Sequence, residues 1–122
     1  MIFEGVVKSG CKEGSKYIKI YKEKIKEIIK NDIYEGTLNV EINGFIKKFK
    51  FKNYYVIDEF NSYGKVLISP CKINNLDAFI VLPEKTKHKN IFEIISTYSL
   101  REKFNLKDGD KVKIEVDIEN DF

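Results

Sequence analysis

Three stretches of this 122-residue chain carry residue types suited to chemistry rather than packing. Ser9-Gly10-Cys11-Lys12-Glu13-Gly14-Ser15-Lys16 combines glycines, which allow close backbone approach, with hydroxyls and lysines able to face phosphate oxygens. It lacks the order GxxxxGK followed by Ser or Thr that marks a Walker A loop, so a solvated turn is the competing reading. Gly36-Thr37-Leu38-Asn39 offers a hydroxyl and an amide oxygen two residues apart. On a strand both side chains leave one face and can share a hard cation such as magnesium, with phosphates and waters completing its shell. The plain alternative is a strand start, Thr serving β propensity and Asn a turn. The third stretch, Leu100 to Asp110, holds Arg101, the one arginine among 22 basic residues. Arg101 either binds a phosphate bidentately or pairs with a carboxylate. A phosphate cradle beside a cation site is what phosphoryl transfer needs, because its transition state is stabilised by positioning and charge neutralisation.

Further candidates lie between these stretches. Glu93, in Phe92-Glu93-Ile94-Ile95, is a carboxylate among large apolar residues. Partial burial there would raise its pKa and suit it to accept a hydroxyl proton; otherwise it is the outward residue of a half-buried strand. Thr86 sits in the polar run Pro83 to His88, which either covers a ligand or merely connects strands. His88 is the single histidine, which leaves too few ligands for a structural zinc site or a Ser/His relay, and it is read as a surface residue. Lys107-Asp108-Gly109-Asp110 reads as a structural turn, Asp-Gly supplying the φ it needs.

The elements that must position these residues are mostly strands. Residues 2–8 and 17–20 read as strands joined by a loop at 9–16. Tyr21, Ile25, Ile28 and Ile29 recur at helical spacing among Lys and Glu, predicting one amphipathic helix from Tyr21 to Lys30. Thr37 to Ile42, the Asn43-Gly44 turn signal and Phe45 to Phe51 predict a hairpin. More strands are expected near 54–57, 65–69, 78–82, 92–95 and 111–116, broken by turns and by Pro70 and Pro83, with a short helix at Ser99–Phe104 and fraying from Glu119 to Phe122. Many short strands and only two helices favour a small β-barrel or sandwich over a βαβ sheet.

Composition bounds the rest. A single domain spanning 1–122 is expected, with 43% hydrophobic and 34% charged residues excluding a disordered chain. No run is long enough for a membrane helix and the N-terminus lacks a signal peptide's pattern, so a soluble cytoplasmic protein is expected, with no membrane partner. A monomer is the expected state, although nothing in the sequence specifies it. Cys11 and Cys71, without CxxC spacing, read as free thiols. Net charge of +3 suits an anionic ligand without demanding nucleic acid.

Taken in order, Phe3-Glu4-Gly5-x-Val7-x-Ser9-Gly10-x-x-Glu13-Gly14, Tyr34 to Asn39, Pro83-x-x-Thr86-x-His88, Glu93-Ile94-Ile95 and Leu100 to Asp110 resemble the archaeal CTP-dependent riboflavin kinases over nearly the whole chain. The resemblance implies a mostly β, small cradle-loop (riboflavin-kinase-like) barrel with one amphipathic helix and one short C-terminal helix. It also implies transfer of the γ-phosphoryl of CTP to the 5′-hydroxyl of riboflavin, giving FMN and CDP. By matched position Gly10, Cys11, Lys12, Glu13, Gly14 and Ser15, with Tyr98, Ser99, Leu100 and Arg101, would hold CTP. Thr37 and Asn39 would hold magnesium, and Thr86 and Glu93 would contact the flavin, with Glu93 the candidate base.

Two departures stand out. Lys12 replaces the middle glycine of the family's Gly-x-Gly-Glu-Gly, and Ser96-Thr97 stands where Ala-Pro is usual. They motivate a second reading, a flavin- or nucleotide-binding module of the same fold without turnover. A third reading comes from Leu100 to Val112, which also resembles swapped-hairpin DNA-binding regulators. That leaves the first two stretches unexplained, and the modest charge offers no basic stripe for a phosphate backbone, so no nucleic-acid partner is expected.

Overall fold

The structure, a computed structural model, describes residues 1–10, 13–44, 46, 49–58, 64–84 and 89–119, with the side chains of 13–17 excepted. In chain order the elements are β1 (Ile2–Lys8), α1 (Glu13–Ile29), β2 (Leu38–Glu41), β3 (Lys50–Phe51), β4 (Tyr55–Ile57), β5 (Val66–Ile73), β6 (Leu76–Pro83), β7 (Ile91–Ile95), α2 (Leu100–Phe104), β8 (Lys111–Glu115) and β9 (Ile118–Glu119). The main sheet runs β4-β5-β6-β7-β2-β1-β8, and a further β5–β8 pairing closes six of its strands into an antiparallel barrel. Closure satisfies the sheet edges that would otherwise present unpaired backbone groups. β4 hangs on the outside of β5, and β3 pairs with β9 in a separate ribbon.

Strand alternation sorts side chains between two cores. Residues of one parity, among them Val7, Val40, Phe92, Ile94, Ile80, Ile73 and Ile114, fill the barrel interior. The opposite face of β5, β6 and β7 presents Val66, Ile68, Val81 and Ile95 to the helix stripe Ile18, Tyr21 and Ile25. Burying each of these large side chains contributes about 1.5–3 kcal/mol, which seats α1 firmly on the barrel wall.

α1 begins earlier than the sequence predicts. Residues 17–20 are helical, not a strand, and the loop at 9–16 shrinks because Glu13 already opens the helix. Ile18 and Tyr21 extend the Ile25 stripe back by two turns, so burial on the second core overrides the β propensity of Tyr17-Ile18-Lys19-Ile20. The helix ends at Ile29, and the next residue, Lys30, turns left-handed with φ of 57°.

The hairpin predicted from Thr37 to Phe51 does not form. β2 lies between β1 and β7, while Phe51 joins the β3–β9 ribbon. After Gly44 the chain folds against residues 89–90, with Ile46 N–H donating to the Lys89 carbonyl at 2.8 Å. Phe49 packs edge-on against Phe3 at 5.0 Å and lies 6.1 Å from Phe92. The apolar side chains at 46, 49 and 51 therefore stopper the barrel rather than line a two-stranded sheet. The turn with real hairpin geometry is Asn74-Asn75, both left-handed, joining β5 to β6. Pro70 does not break β5 but sits within it, and Pro83 does end β6. Among the described residues no helix is long and apolar enough to cross a membrane.

Candidate functional site

β1 delivers the first stretch. Its last residue, Lys8, pairs with Asn39 of β2, the chain leaves the sheet at Ser9-Gly10, and α1 opens at Glu13. The second stretch therefore abuts the first. A Cβ on Gly10 would fall 2.6 Å from Asn39 Nδ2 and 3.2 Å from its Cγ, closer than any side chain fits. Gly10 is glycine because the asparagine occupies the space its side chain would need. Glu13, Gly14 and Ser15 form the opening of the 17-residue α1, whose first backbone N–H groups lack intrahelical acceptors and favour an anion. Cys11 and Lys12 lie outside the described residues.

Thr37 immediately precedes β2, and Asn39 is its second residue, buried to 3% exposure. The Thr37 hydroxyl donates to Asn39 Oδ1 at 3.5 Å. Two oxygens bound side by side to magnesium at 2.0–2.1 Å stand about 2.9 Å apart, so a small adjustment of this pair fits one such ion. Both donors are neutral, and the described residues hold no group of three His, Cys, Asp or Glu side chains that would supply a cation's charge from the protein. An ion here suits a partner that brings its own negative charge.

Glu93 stands opposite Asn39 in the β2–β7 ladder and opposite Val81 in the β6–β7 ladder. Lys8, Asn39, Glu93 and Val81 thus form one row on the helix-facing side of the sheet. Glu93 is 7% exposed, so the expected burial of this carboxylate is met. Thr86 and His88 lie outside the described residues.

The third stretch reaches the same place from β7 and α2. A cavity of about 140 Å³ is lined by Tyr34, Gly36 and Thr37 on one side and by Ser96 and Tyr98 to Arg101 on the other. Tyr98 is half exposed, with Lys103 Nζ 4.8 Å above its ring. Ser99 is the N-cap of α2 but makes no side-chain capping bond. The Leu100 side chain is sunk in the barrel core, so whatever this residue offers a ligand comes from its backbone. Arg101 Nη2 donates to Asp108 Oδ1 at 2.6 Å and to the Lys8 carbonyl at 3.2 Å. Asp108 also accepts the Ser9 hydroxyl. The Ser9 hydroxyl first, then the Arg101 guanidinium, hold the Asp108 carboxyl below the usual carboxylate range. On the other side an ion pair of 3.0 Å between Lys22 of α1 and Glu35 ties the helix to the segment that leads into Thr37.

Sequence reasoning missed Asp108, which it read as turn structure only, and Tyr34, which shares the small cavity with Tyr98. The Asp-Gly pair was the available signal for the turn, but nothing in the spacing shows which strand end that turn meets. A second, more open groove of about 740 Å³ includes Phe49, Phe51, Leu67 and Leu82. Leu82 follows Val81 and so points to the opposite face from Glu93, which separates this groove from the row of polar groups.

A family model named for CTP-dependent riboflavin kinases, and described as a domain of unknown function, DUF120, matches residues 7–116. The chain belongs to this family. Similar curated proteins are each named riboflavin kinase. The one from Thermoplasma acidophilum is 34% identical over 95% of this chain and 57% of its own length. The one from Saccharolobus solfataricus is 38% identical over 93% of this chain and 72% of its own length. The one from Sulfurisphaera tokodaii is 38% identical over 93% of each. The chain therefore spans little more than half of the Thermoplasma relative and nearly all of the Sulfurisphaera one. Family membership agrees with the closed barrel. The α2–β8 segment that also resembles swapped-hairpin regulators is part of that barrel here, β8 pairing with β1 and β5.

Proposed function

We propose that this protein is a riboflavin kinase that takes its phosphoryl group from CTP, giving FMN and CDP. The observation that carries the reading is the convergence of three separated stretches: Gly10 packs on Asn39, Asn39 faces Glu93, and Thr37 shares a cavity with Ser99 and Arg101. The relatives' name supplies the acceptor, riboflavin, and the family model's name supplies the donor, CTP.

In this reading Gly10 to Ser15 and the first turn of α1 receive the phosphates, where backbone N–H groups approach without a Cβ in the way. Tyr98 to Arg101 hold the rest of the nucleotide, Arg101 contributing a fixed positive charge near the phosphates. Thr37 and Asn39 would hold magnesium, which when bound neutralises phosphate charge. Glu93 orients the ribityl hydroxyl and accepts its proton, and Thr86 contacts the flavin.

The test is incubation of the protein with riboflavin, magnesium and each of CTP, ATP, GTP and UTP separately, with FMN separated chromatographically. FMN with CTP and little with ATP is the expected result. FMN formed equally with all four removes the donor assignment, and no FMN with any of them leaves a binding module instead of a kinase.

A further inference from the structure

Asp108 is not among the residues assigned to ligand contact, yet it joins the first stretch to the third. One carboxylate oxygen accepts from Arg101 Nη2 and the other from the Ser9 hydroxyl. Ser9 immediately precedes Gly10 of the proposed phosphate loop, and Arg101 comes from α2, 92 positions along the chain. A carboxylate is the side chain that can accept from both sides at once, having two oxygens and no proton to donate.

The backbone around Asp108 is fixed by its own bonds. Asn105 closes α2 in the left-handed conformation, with Leu106 N–H bonded to the Arg101 carbonyl at 2.8 Å. Lys107 N–H donates to the Asp110 carboxylate at 2.8 Å. Gly109, at φ of 94°, donates to the Val7 carbonyl, while Val7 N–H donates to the Asp110 carbonyl, both at 2.8 Å. The turn is thus tied to α2 just before Asp108 and to the end of β1 just after it.

We infer that Asp108 is a positioning residue for nucleotide binding: it clasps the Arg101 guanidinium to Ser9 and so fixes both the phosphate loop and its arginine before the nucleotide arrives. The inference rests on the nucleotide site proposed above. Both recorded bonds of the guanidinium, to Asp108 and to the Lys8 carbonyl, use Nη2. The N–H groups on Nε and Nη1 are left for phosphate oxygens, each as a separate charge-assisted donor. An arginine already aligned loses less side-chain freedom on binding, which strengthens binding without any new contact. Arg101 and Asp108 are 38% and 52% exposed, so an ion pair this accessible adds little to folding, and a role in stability alone predicts no effect on the ligand.

The experiment is calorimetric titration of CTP with magnesium into wild-type protein, Asp108→Ala, Asp108→Asn, Ser9→Ala, Arg101→Ala and the Asp108→Ala/Arg101→Ala double variant, with Tm recorded for each. Asp108→Ala is expected to weaken CTP about tenfold at unchanged Tm, in line with loss of charge-assisted alignment. Asp108→Asn, which keeps one acceptor, is expected to fall between it and wild type, and Ser9→Ala to show a smaller loss. In the Arg101→Ala background Asp108→Ala is expected to cost almost nothing further, because the two act as a unit. In FMN assays the KM for nucleotide rises while that for riboflavin stays. CTP bound by Asp108→Ala as tightly as by wild type overturns the inference. So does a full additional loss in the Arg101→Ala background, or a fall in Tm large enough to account for the weakened binding. Wild-type protein that binds no CTP overturns the inference together with the nucleotide site, whereas wild type that binds CTP and makes no FMN overturns only the proposed reaction.

Discussion

Asn39 and Glu93 face each other across the β2–β7 ladder, an amide and a carboxylate on one side of the sheet, both buried. Directly opposed residues keep their Cβ atoms about 4.5–5.5 Å apart, so a group held by Asn39 is within reach of Glu93. If the first holds the metal and the second the acceptor hydroxyl, their variants separate by kinetics. Glu93→Gln keeps shape and removes the base, and kcat for FMN formation is expected to fall by about 10²–10⁴ with the nucleotide KM little changed. Asn39→Ala should raise the magnesium concentration needed for half-maximal rate. Normal turnover by Glu93→Gln would leave Glu93 a packing residue.

The contact between Gly10 and Asn39 sets a second expectation. In Gly10→Ala the new methyl would overlap Asn39 Nδ2, and the flexible end of that side chain must move. Because Asn39 Oδ1 is the proposed cation ligand, that movement should reach catalysis before it reaches folding. FMN formation at fixed magnesium is expected to drop at least about tenfold, consistent with misplacement of a ligand by an ångström, while thermal unfolding shifts little. A variant with wild-type magnesium dependence would show that the loop yields instead of the asparagine.

Much of the barrel was legible because strand alternation writes its two faces directly. β5, β6, β7 and β8 fall where Ile73, Ile80, Ile94 and Ile114 alternate with polar or second-core residues. What was misread depends on partners distant in sequence. Ile18 is helical because β5, β6 and β7 offer it a core, Phe49 looks like a strand residue until Phe3 and Phe92 give it a barrel end to close, and Phe51 pairs with Ile118 of the distant β9 instead of with β2. The site shows the same division. Residue types and spacing marked Gly10, Thr37, Asn39, Glu93 and Arg101, whereas the clasp of Asp108 on Ser9 is a product of the closed topology.

Cys71 lies in the barrel core at 6% exposure, and burial, with the Asp77 charge adding to it, pushes its thiol up to about 12. A raised folded value favours the protonated form, so the unfolded chain loses the proton first. Stability is therefore full below about pH 9, the unfolded thiol's value, and declines as pH rises from there toward 12. The slope from this one group is about 1.4 kcal/mol per pH unit across that window. Urea midpoints measured from pH 7 to 10.5 should fall above pH 9 in the wild type and less so in Cys71→Ala, after correction for the lower starting stability of the variant. At pH 8 iodoacetamide should leave Cys71 unmodified in native protein and label it in urea, as peptide mass spectrometry would show; rapid native labelling would contradict its burial.

Tyr21 provides the clearest separation of stability from activity. Its ring is 1% exposed in the second core, and its hydroxyl donates to the Gly64 carbonyl at 2.8 Å, linking α1 to the segment that enters β5. Tyr21→Phe keeps the ring and leaves that carbonyl without its donor in a buried setting, which costs about 1–3 kcal/mol. Urea denaturation should show a lower midpoint with an unchanged m-value, since the same surface is exposed on unfolding. The proposed phosphate loop enters α1 two turns earlier, at Glu13, and the apolar seat of the helix is intact. At temperatures where the variant remains folded, kcat and the nucleotide KM should therefore match wild type. Loss of activity without loss of stability would place Tyr21 in the site itself, a role that its distance along the helix and its full burial argue against.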